Sequence, residues 1–186
     1  MEWPQCELTD ADRPGVAYLG LPVDGQQARA LLRGQPPPQT LVAHITQAGR
    51  FADMHALGWP GLYALSPRLA SIVGKFAGTV LWPLRVETGP NGYALLGVTG
   101  RCGAADYSKS LQVGRIGNFV RLRGLHVGVM DGPVDFAIPP NLETILVTAV
   151  AGDTLEKAKL ENVRLRSLKD QEFDVPEEEV SAQSDG

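Results

Sequence analysis

Short apolar runs separated by turn residues fill most of the chain, and several alternate with the period of two that is typical of strands. In "NFVRLR", Phe119, Arg121 and Arg123 fall on one side of a predicted strand, and Val120 and Leu122 fall on the other. The turn residues Asn91-Gly92 predict a tight hairpin between two further strands. The predicted strands are "GVAYLGLPV", "TLVAHITQA", the two in "TVLWPLRVETGPNGYALLGV", one or two in "SLQVGRIGNFVRLRGLHVGV", "ETILVTAV" and finally "VRLRSL".

Three segments have the apolar spacing of helices instead. Asp24 begins "DGQQARALLRG", Ser66 and Pro67 provide an N-cap and an N1 proline for "SPRLASIVGKFAG", and Asp153 is the candidate cap of "AGDTLEKAKLENV". Helices and strands are mixed without a regular βαβα order. The sequence therefore predicts a single α+β domain, with a mainly antiparallel sheet and a few flanking helices.

Charge divides the chain into three parts. Residues 1–13 are polar, and we expect them to be loose, while residues 14–169 form the predicted domain. Residues 170–186 contain seven acidic residues and no Lys or Arg, a composition that predicts a disordered tail. The remaining 17 basic and 14 acidic residues give far too little positive charge for a nucleic-acid-binding protein, so we expect no nucleic-acid partner.

The N-terminal sequence and the two cysteines bear on the compartment. No apolar run reaches the length of a membrane span, and the first fifteen residues lack the basic and apolar regions of a signal peptide. Cys6 and Cys102 cannot form a disulfide framework and lack the spacing of a zinc site. We expect a cytoplasmic protein with no membrane partner.

The segment "RCGAADYSKS" concentrates the reactive side chains of the chain. A catalytic interpretation makes Cys102, Ser108 or Ser110 a nucleophile and Lys109 its base, whereas a structural interpretation makes the segment a polar turn between strands. The known nucleophile and metalloprotease motifs are absent, and a lysine in such a loop is expected to be exposed and protonated. We therefore predict a polar turn, no catalysis and no cofactor or metal. A small enzyme or ligand-binding domain with a cleft near Cys102–Lys109 remains the alternative.

From about residue 51 to residue 168, the order of segments resembles a family of bacterial immunity proteins encoded beside polymorphic toxins, the group numbered eleven in the immunity-domain nomenclature. The resemblance covers roughly two thirds of the chain and depends on segment order rather than on any single motif. The segments are, in order, "FADMHALGWPGLYALSPRLASIV", "VLWPLRV", "GYALLGVTGR", "DYSKS", "FVRLRGL", "DFAIPPNLETILVT" and "AKLENVRL".

The resemblance implies an antitoxin function without catalysis. Such a protein binds a cognate toxin, which is expected to be encoded by an adjacent gene, and neutralises it stoichiometrically in bacterial competition. It also makes Asp106, Ser108 and Ser110 parts of a hydrogen-bonded turn. Aromatic and arginine side chains most often anchor protein interfaces, so our candidate partner-binding residues are Trp59, Tyr107, Arg121 and Arg123.

Overall fold

The computed structural model describes residues 3–184 and has an α+β fold with mostly antiparallel sheets. The strands are β1 (Cys6–Asp10), β2 (Tyr18–Gly20), β3 (Leu41–Gln47), β4 (Met54–Ala56), β5 (Tyr63–Leu65), β6 (Thr79–Val86), β7 (Ala94–Val98), β8 (Leu111–Ile116), β9 (Phe119–Arg123), β10 (Phe136–Ala137), β11 (Ile145–Val147), β12 (Val163–Ser167) and β13 (Glu172–Pro176). The helices are α1 (Gly25–Leu32), α2 (Pro67–Val73), α3 (Ala149–Lys157) and α4 (Glu177–Ser184). None of the helices within residues 3–184 has the length and apolar content needed to cross a bilayer.

Two of the three predicted helices begin where the sequence indicates. Asp24 accepts a hydrogen bond from the Gln27 N–H, and the Gln27 side chain accepts one from the Asp24 N–H, which completes a capping box at α1. Ser66 caps α2 by accepting from the Leu69 N–H, with Pro67 at the first helical position.

The largest sheet has six strands in the order β2-β3-β6-β7-β5-β4, and only the β3–β6 pair is parallel. The sheet curls until its two edges approach each other. The Leu21 N–H, just beyond β2, donates to the Leu57 carbonyl, just beyond β4, at 3.2 Å. Apolar side chains of this sheet and of α1 and α2 form most of the first core, a large cluster that includes Leu31, Leu65 and Leu95.

A four-stranded sheet in the order β10-β11-β1-β12 lies between two apolar cores. Successive side chains of a strand point to opposite faces. In β11, Ile145 and Val147 therefore join the first core, while Leu146 joins a second, smaller core. Leu8 of β1 also joins the first core.

The other side of the second core is covered by a three-stranded sheet in the order β13-β9-β8. Val120 and Leu122 of β9 and Val175 of β13 are buried there, as the alternation in "NFVRLR" predicts for β9. A two-residue turn, Gly117-Asn118, joins β8 to β9, and Gly117 has a φ of +56°. Glycine at the first central position is typical of a type II′ hairpin turn.

Three predictions about the two terminal segments and the start of α3 are wrong. The segment expected to be loose contains β1, which pairs with both β11 and β12. The acidic segment expected to be disordered forms β13 and α4, because Phe173, Val175 and Val180 supply the apolar contacts that its overall composition conceals. Thr148, rather than Asp153, caps α3. Residues 1–2 and 185–186 of the two terminal predictions lie outside the described residues.

Candidate protein-interaction surface

The segment Arg101–Ser110 forms isolated β-bridges at Arg101, Cys102 and Ala105 and then ends in a hydrogen-bonded turn. Asp106 precedes a single turn of 3₁₀ helix, and its carboxylate accepts from the Ser108 hydroxyl at 2.6 Å and lies 2.7 Å from the Lys109 ammonium. These contacts lower the pKa of Asp106, the Lys109 hydrogen bond being the largest cause. Cys102, the second residue of the segment, is buried, and burial, followed by the charge of Asp131, raises the pKa of its thiol to about 11. The reactive thiolate is thus disfavoured at neutral pH.

Tyr107, a candidate anchor, faces the interior. Its side chain is 2% exposed and its ring lies 6.1 Å from the Phe173 ring in the second core. A side chain buried to this degree cannot contact a partner while the fold is intact, so this assignment is wrong. The cause of the error is a long-range contact: Tyr107 starts the 3₁₀ turn and packs against Phe173 of β13, which the sequence around Tyr107 does not indicate.

Arg121 and Arg123 lie on the outer face of the three-stranded sheet, as their alternation predicts. Each forms an ion pair with the strand added by the acidic segment. Asp174 accepts two hydrogen bonds from the Arg121 guanidinium, at 2.9 and 3.0 Å, and Glu172 accepts from Arg123. The hydrogen bond with Asp174 raises the pKa of Arg121. Both arginines remain partly exposed, but their charge is already neutralised within the chain.

Trp59, the fourth candidate anchor, belongs to a different part of the molecule. It lies in the turn between β4 and β5, is half-buried, and packs on the first core. Its ring lies against the start of α1, where a Cβ on Gly25 would be only 3.4 Å from it. The structure therefore leaves Arg121 and Arg123 on one face and separates the other two candidates from them.

Exposed apolar side chains concentrate on the β8–β9 hairpin. Of the seven large apolar side chains that are exposed in the described part of the chain, four belong to this hairpin, and we call them the hairpin patch: Leu111, Val113, Ile116 and Phe119. Leu111 and Ile116 are 64% and 55% exposed. Sequence reasoning missed the patch, although the apolar residues of "LQVGRI" were visible, because a strand with Leu, Val and Ile is ordinarily read as buried.

The register of the hairpin explains the outward position of three of these side chains. Leu111 is paired with Arg123, and Ile116 is paired with Phe119, so all of them share the outer face. Val113 falls within a register shift between Gln112 and Gly114, where β8 carries an extra residue. The outer face therefore has Leu111 beside Arg123 at one end, Ile116 beside Phe119 at the other, and the ion pair of Arg121 between them.

A shallow depression adjoins the tip of the hairpin. It has a volume of about 600 Å³ and is lined by Asn118, Phe119, Pro176, Glu177, Glu178 and Ser181. Glu177 forms an ion pair with Arg115 of β8 at 2.6 Å, so α4 borders the patch with acidic side chains. The tip thus combines an exposed aromatic ring with a concave, acidic border.

The Asp-containing segment and the Ser-Pro-Arg-Leu helix form a buried junction. The Asp53 carboxylate accepts from the Ser66 hydroxyl at 2.7 Å and from the Glu161 N–H at 2.8 Å, and the Arg68 guanidinium lies 3.5 Å from it. These contacts join β4, the start of α2 and the loop after α3. Each of these groups contacts the Asp53 carboxylate, which favours a structural role.

A cleft between α1 and the proline-rich connector has a volume of about 440 Å³. Its walls are apolar, its polar side chains are those of Gln27, Gln35, Gln39 and Thr40, and it contains no charged residue. Its volume falls within the usual range for small-molecule sites. Elsewhere in residues 3–184, no group of three or more His, Cys, Asp or Glu side chains is placed to hold a metal ion.

Neither a scan of protein-family models nor a search of curated proteins finds a match for this chain.

Proposed function

We propose that the protein is an immunity protein, which binds a cognate bacterial toxin in the cytoplasm and neutralises it without catalysis. The observation that carries this proposal is the hairpin patch. Monomeric proteins seldom leave large apolar side chains exposed together, and such patches most often mark protein-binding surfaces.

The surroundings of the patch suit a protein partner. The neighbouring arginines Arg121 and Arg123 are already restrained by their ion pairs. A partner that covers them therefore causes only a small further loss of side-chain entropy. Apolar anchors surrounded by polar groups are the usual anatomy of a specific interface. The candidate contact residues thus become Ile116 and Phe119, together with the two arginines.

The order of segments supplies the second line of support. The resemblance to the immunity proteins covers "FVRLRGL", which includes all of β9, and "DYSKS", which directly precedes β8. The partner class, a toxin encoded beside this gene, comes from that resemblance alone. The hairpin patch supports protein binding of any kind.

A second candidate function is the binding of a small molecule, and the uncharged cleft beside α1 favours it. Its amide side chains suit a neutral ligand that forms hydrogen bonds. The high pKa of Cys102 weighs against the thiol chemistry that an enzyme using the Arg101–Ser110 segment would need. Binding of a neutral ligand at the cleft, with no affinity for any neighbouring gene product, would favour this second function.

The test is co-purification and calorimetry with the product of the adjacent reading frame. We expect a dissociation constant of about 1 nM or below, which corresponds to about −12 kcal/mol, because immunity must hold at low cellular concentrations. Ile116→Asp and Phe119→Asp should each weaken binding about 30-fold or more, the loss expected at an interface hot spot of about 2 kcal/mol.

Val150→Asp is the matched control. Val150 is an apolar residue of α3 that is 59% exposed and lies outside the hairpin patch, and an acidic residue is well tolerated in the first turn of a helix. Equal weakening by the control and by the hairpin variants would remove the proposed surface. Absence of binding to any neighbouring gene product would remove the proposed function.

A further inference from the structure

The hairpin also contains a free strand edge. β8 is the terminal strand of its sheet, and none of the strands in residues 3–184 pairs with its outer edge. Five of its six residues are exposed and the sixth, Gly114, is half-buried. No described element therefore covers β8 on either face, in contrast to β9, which buries Val120 and Leu122.

Such an edge promotes association. Unpaired backbone N–H and C=O groups can pair with a strand of another chain, and the risk is greatest when the strand is apolar and uncharged. β8 contains Leu111, Val113 and Ile116 and a single charged residue, Arg115. The edge is protected only in part, by Arg115 and by the extra residue at the register shift between Gln112 and Gly114.

The basic side chains near this edge are all paired inside the chain. Lys109 pairs with Asp106, Arg115 with Glu177, Arg121 with Asp174 and Arg123 with Glu172, and these are all the basic residues of the hairpin and its preceding turn. A second copy of the same edge would consequently bring no unpaired basic side chain against it. The acidic residues of α4 lie beside the hairpin tip, at one end of β8 and away from its centre at Val113 and Gly114.

We propose that the edge of β8 pairs with the same edge of a second copy of this chain. The two strands run antiparallel about a two-fold axis near Val113 and Gly114, and the two three-stranded sheets become one six-stranded sheet. With the axis at either of these residues, Arg115 faces a different residue of the partner rather than its own copy, so like charges are not placed directly opposite.

This dimer leaves the outer faces free. A two-fold axis perpendicular to the sheet places both outer faces on the same side, so the two sets of Ile116 and Phe119 lie on one continuous surface. The dimer contact uses the backbone edge, whereas the proposed toxin contact uses the outer face. The inference therefore goes beyond the proposed function and is tested on the protein alone, without a toxin.

The first measurement is the molar mass by light scattering after size exclusion, at chain concentrations from 5 to 200 µM. We expect a mass of about 40 kDa at the upper end, twice the 19.9 kDa of one chain. Val113→Lys, which places a lysine at the centre of the edge, should raise the dissociation constant of the dimer at least tenfold. Val150→Lys on α3 is the control and should leave it unchanged. A monomer at 200 µM, or a mass that rises beyond the dimer, would overturn the proposal.

The second measurement keeps the proposal testable if Val113→Lys misfolds. A spin label at Gln112→Cys, in a Cys6→Ser background that leaves the buried Cys102 in place, should give an inter-chain distance below about 20 Å, because paired strands lie about 5 Å apart. A label at Val150→Cys should give a longer distance. A dimer in which the Gln112 labels are farther apart than the Val150 labels would contradict pairing through β8.

Discussion

The Asp53 side chain connects two distant parts of the chain. Its carboxylate is nearly buried and accepts hydrogen bonds from Ser66 and from the Glu161 backbone, which lie 13 and 108 residues away in sequence. Ser66 in turn caps α2. A polar group deprived of its partner in the interior loses the hydrogen bonds that it had in water, so the junction depends on the carboxylate being present.

Asp53→Ala should lower the free energy of unfolding by about 2–4 kcal/mol, because it leaves the Ser66 hydroxyl and the Glu161 N–H without their acceptor. Urea denaturation followed by circular dichroism measures the change. Asp106→Ala is the matched control, since that carboxylate is exposed and its pairing with Lys109 is screened by water; it should have little effect. Equal losses in the two variants would contradict the structural role of Asp53.

The candidate site was only partly predictable from individual residues. Period-two alternation correctly placed Arg121 and Arg123 on an outward face, because strand geometry is local. Their ion pairs with Glu172 and Asp174 were not predictable, since they join residues about fifty positions apart. The exposure of Ile116 likewise depends on which strands are absent beside β8, and a local pattern carries no information about absent neighbours.

At the scale of elements, the helix starts were predictable where an N-cap residue and an N1 or N3 residue indicated the same start, as at α1 and α2.

The connection between β6 and β7 is longer than the tight hairpin that Asn91-Gly92 predicted. β6 continues past its last pairing with β7, at Pro83, because Leu84–Val86 pair with β3 instead. The length of a strand thus depends on a second partner that the turn residues do not indicate.

The acidic segment contained a usable signal that its overall charge concealed. In β13, Glu172 and Asp174 alternate with Phe173 and Val175, which is the pattern of a half-buried strand. Composition averaged over seventeen residues favoured disorder, whereas the two apolar residues at alternate positions decide the structure. They complete the second core on the side that β9 leaves open.

Val175→Ala should lower the free energy of unfolding by about 1–3 kcal/mol, because it removes a side chain that is 2% exposed from the second core. Glu172→Gln, one position before Phe173 in the same strand, removes a surface ion pair and should change stability by less than about 1 kcal/mol. Amide hydrogen exchange should also show protection in β13 of the wild-type protein. A segment without protection, together with a neutral Val175→Ala, would restore the prediction of a disordered tail.

At the scale of the whole molecule, the two cores share the sheet β10-β11-β1-β12. Its strands come from residues near the N-terminus, from 136–147 and from 163–167, so its assembly requires contacts between distant parts of the chain. Such pairings are set by the entire fold rather than by local pattern. This explains why the sequence predicted the α+β class and most strands, but not the central position of β1.

The dependence of stability on pH is also a property of the whole molecule, and buried His55 contributes to it just below neutral pH. The Ala52 N–H donates to Nε2 of His55 at 2.9 Å, and Nδ1 lies 2.8 Å from the Ala17 carbonyl oxygen that accepts its proton, so the ring is held in its neutral form. Burial, opposed in part by these backbone contacts, lowers the pKa of His55 below its ordinary value of 6.5.

Below pH 6.5, His55 therefore binds a proton in the unfolded chain but remains neutral in the folded chain. The free energy of unfolding should fall by up to about 1.4 kcal/mol per pH unit until the pH reaches the lowered pKa of His55 in the folded chain. Chemical denaturation between pH 7.5 and 5.5 measures this slope, above the range in which most carboxylates titrate.

His55→Gln should be less stable at pH 7.5, but its free energy of unfolding should depend less steeply on pH. His44→Gln, which removes an exposed imidazole from β3, should retain the wild-type slope, because His55 is still present. If His55→Gln kept the full slope while His44→Gln lost it, the neutral, hydrogen-bonded state of His55 would not be the cause of the pH dependence.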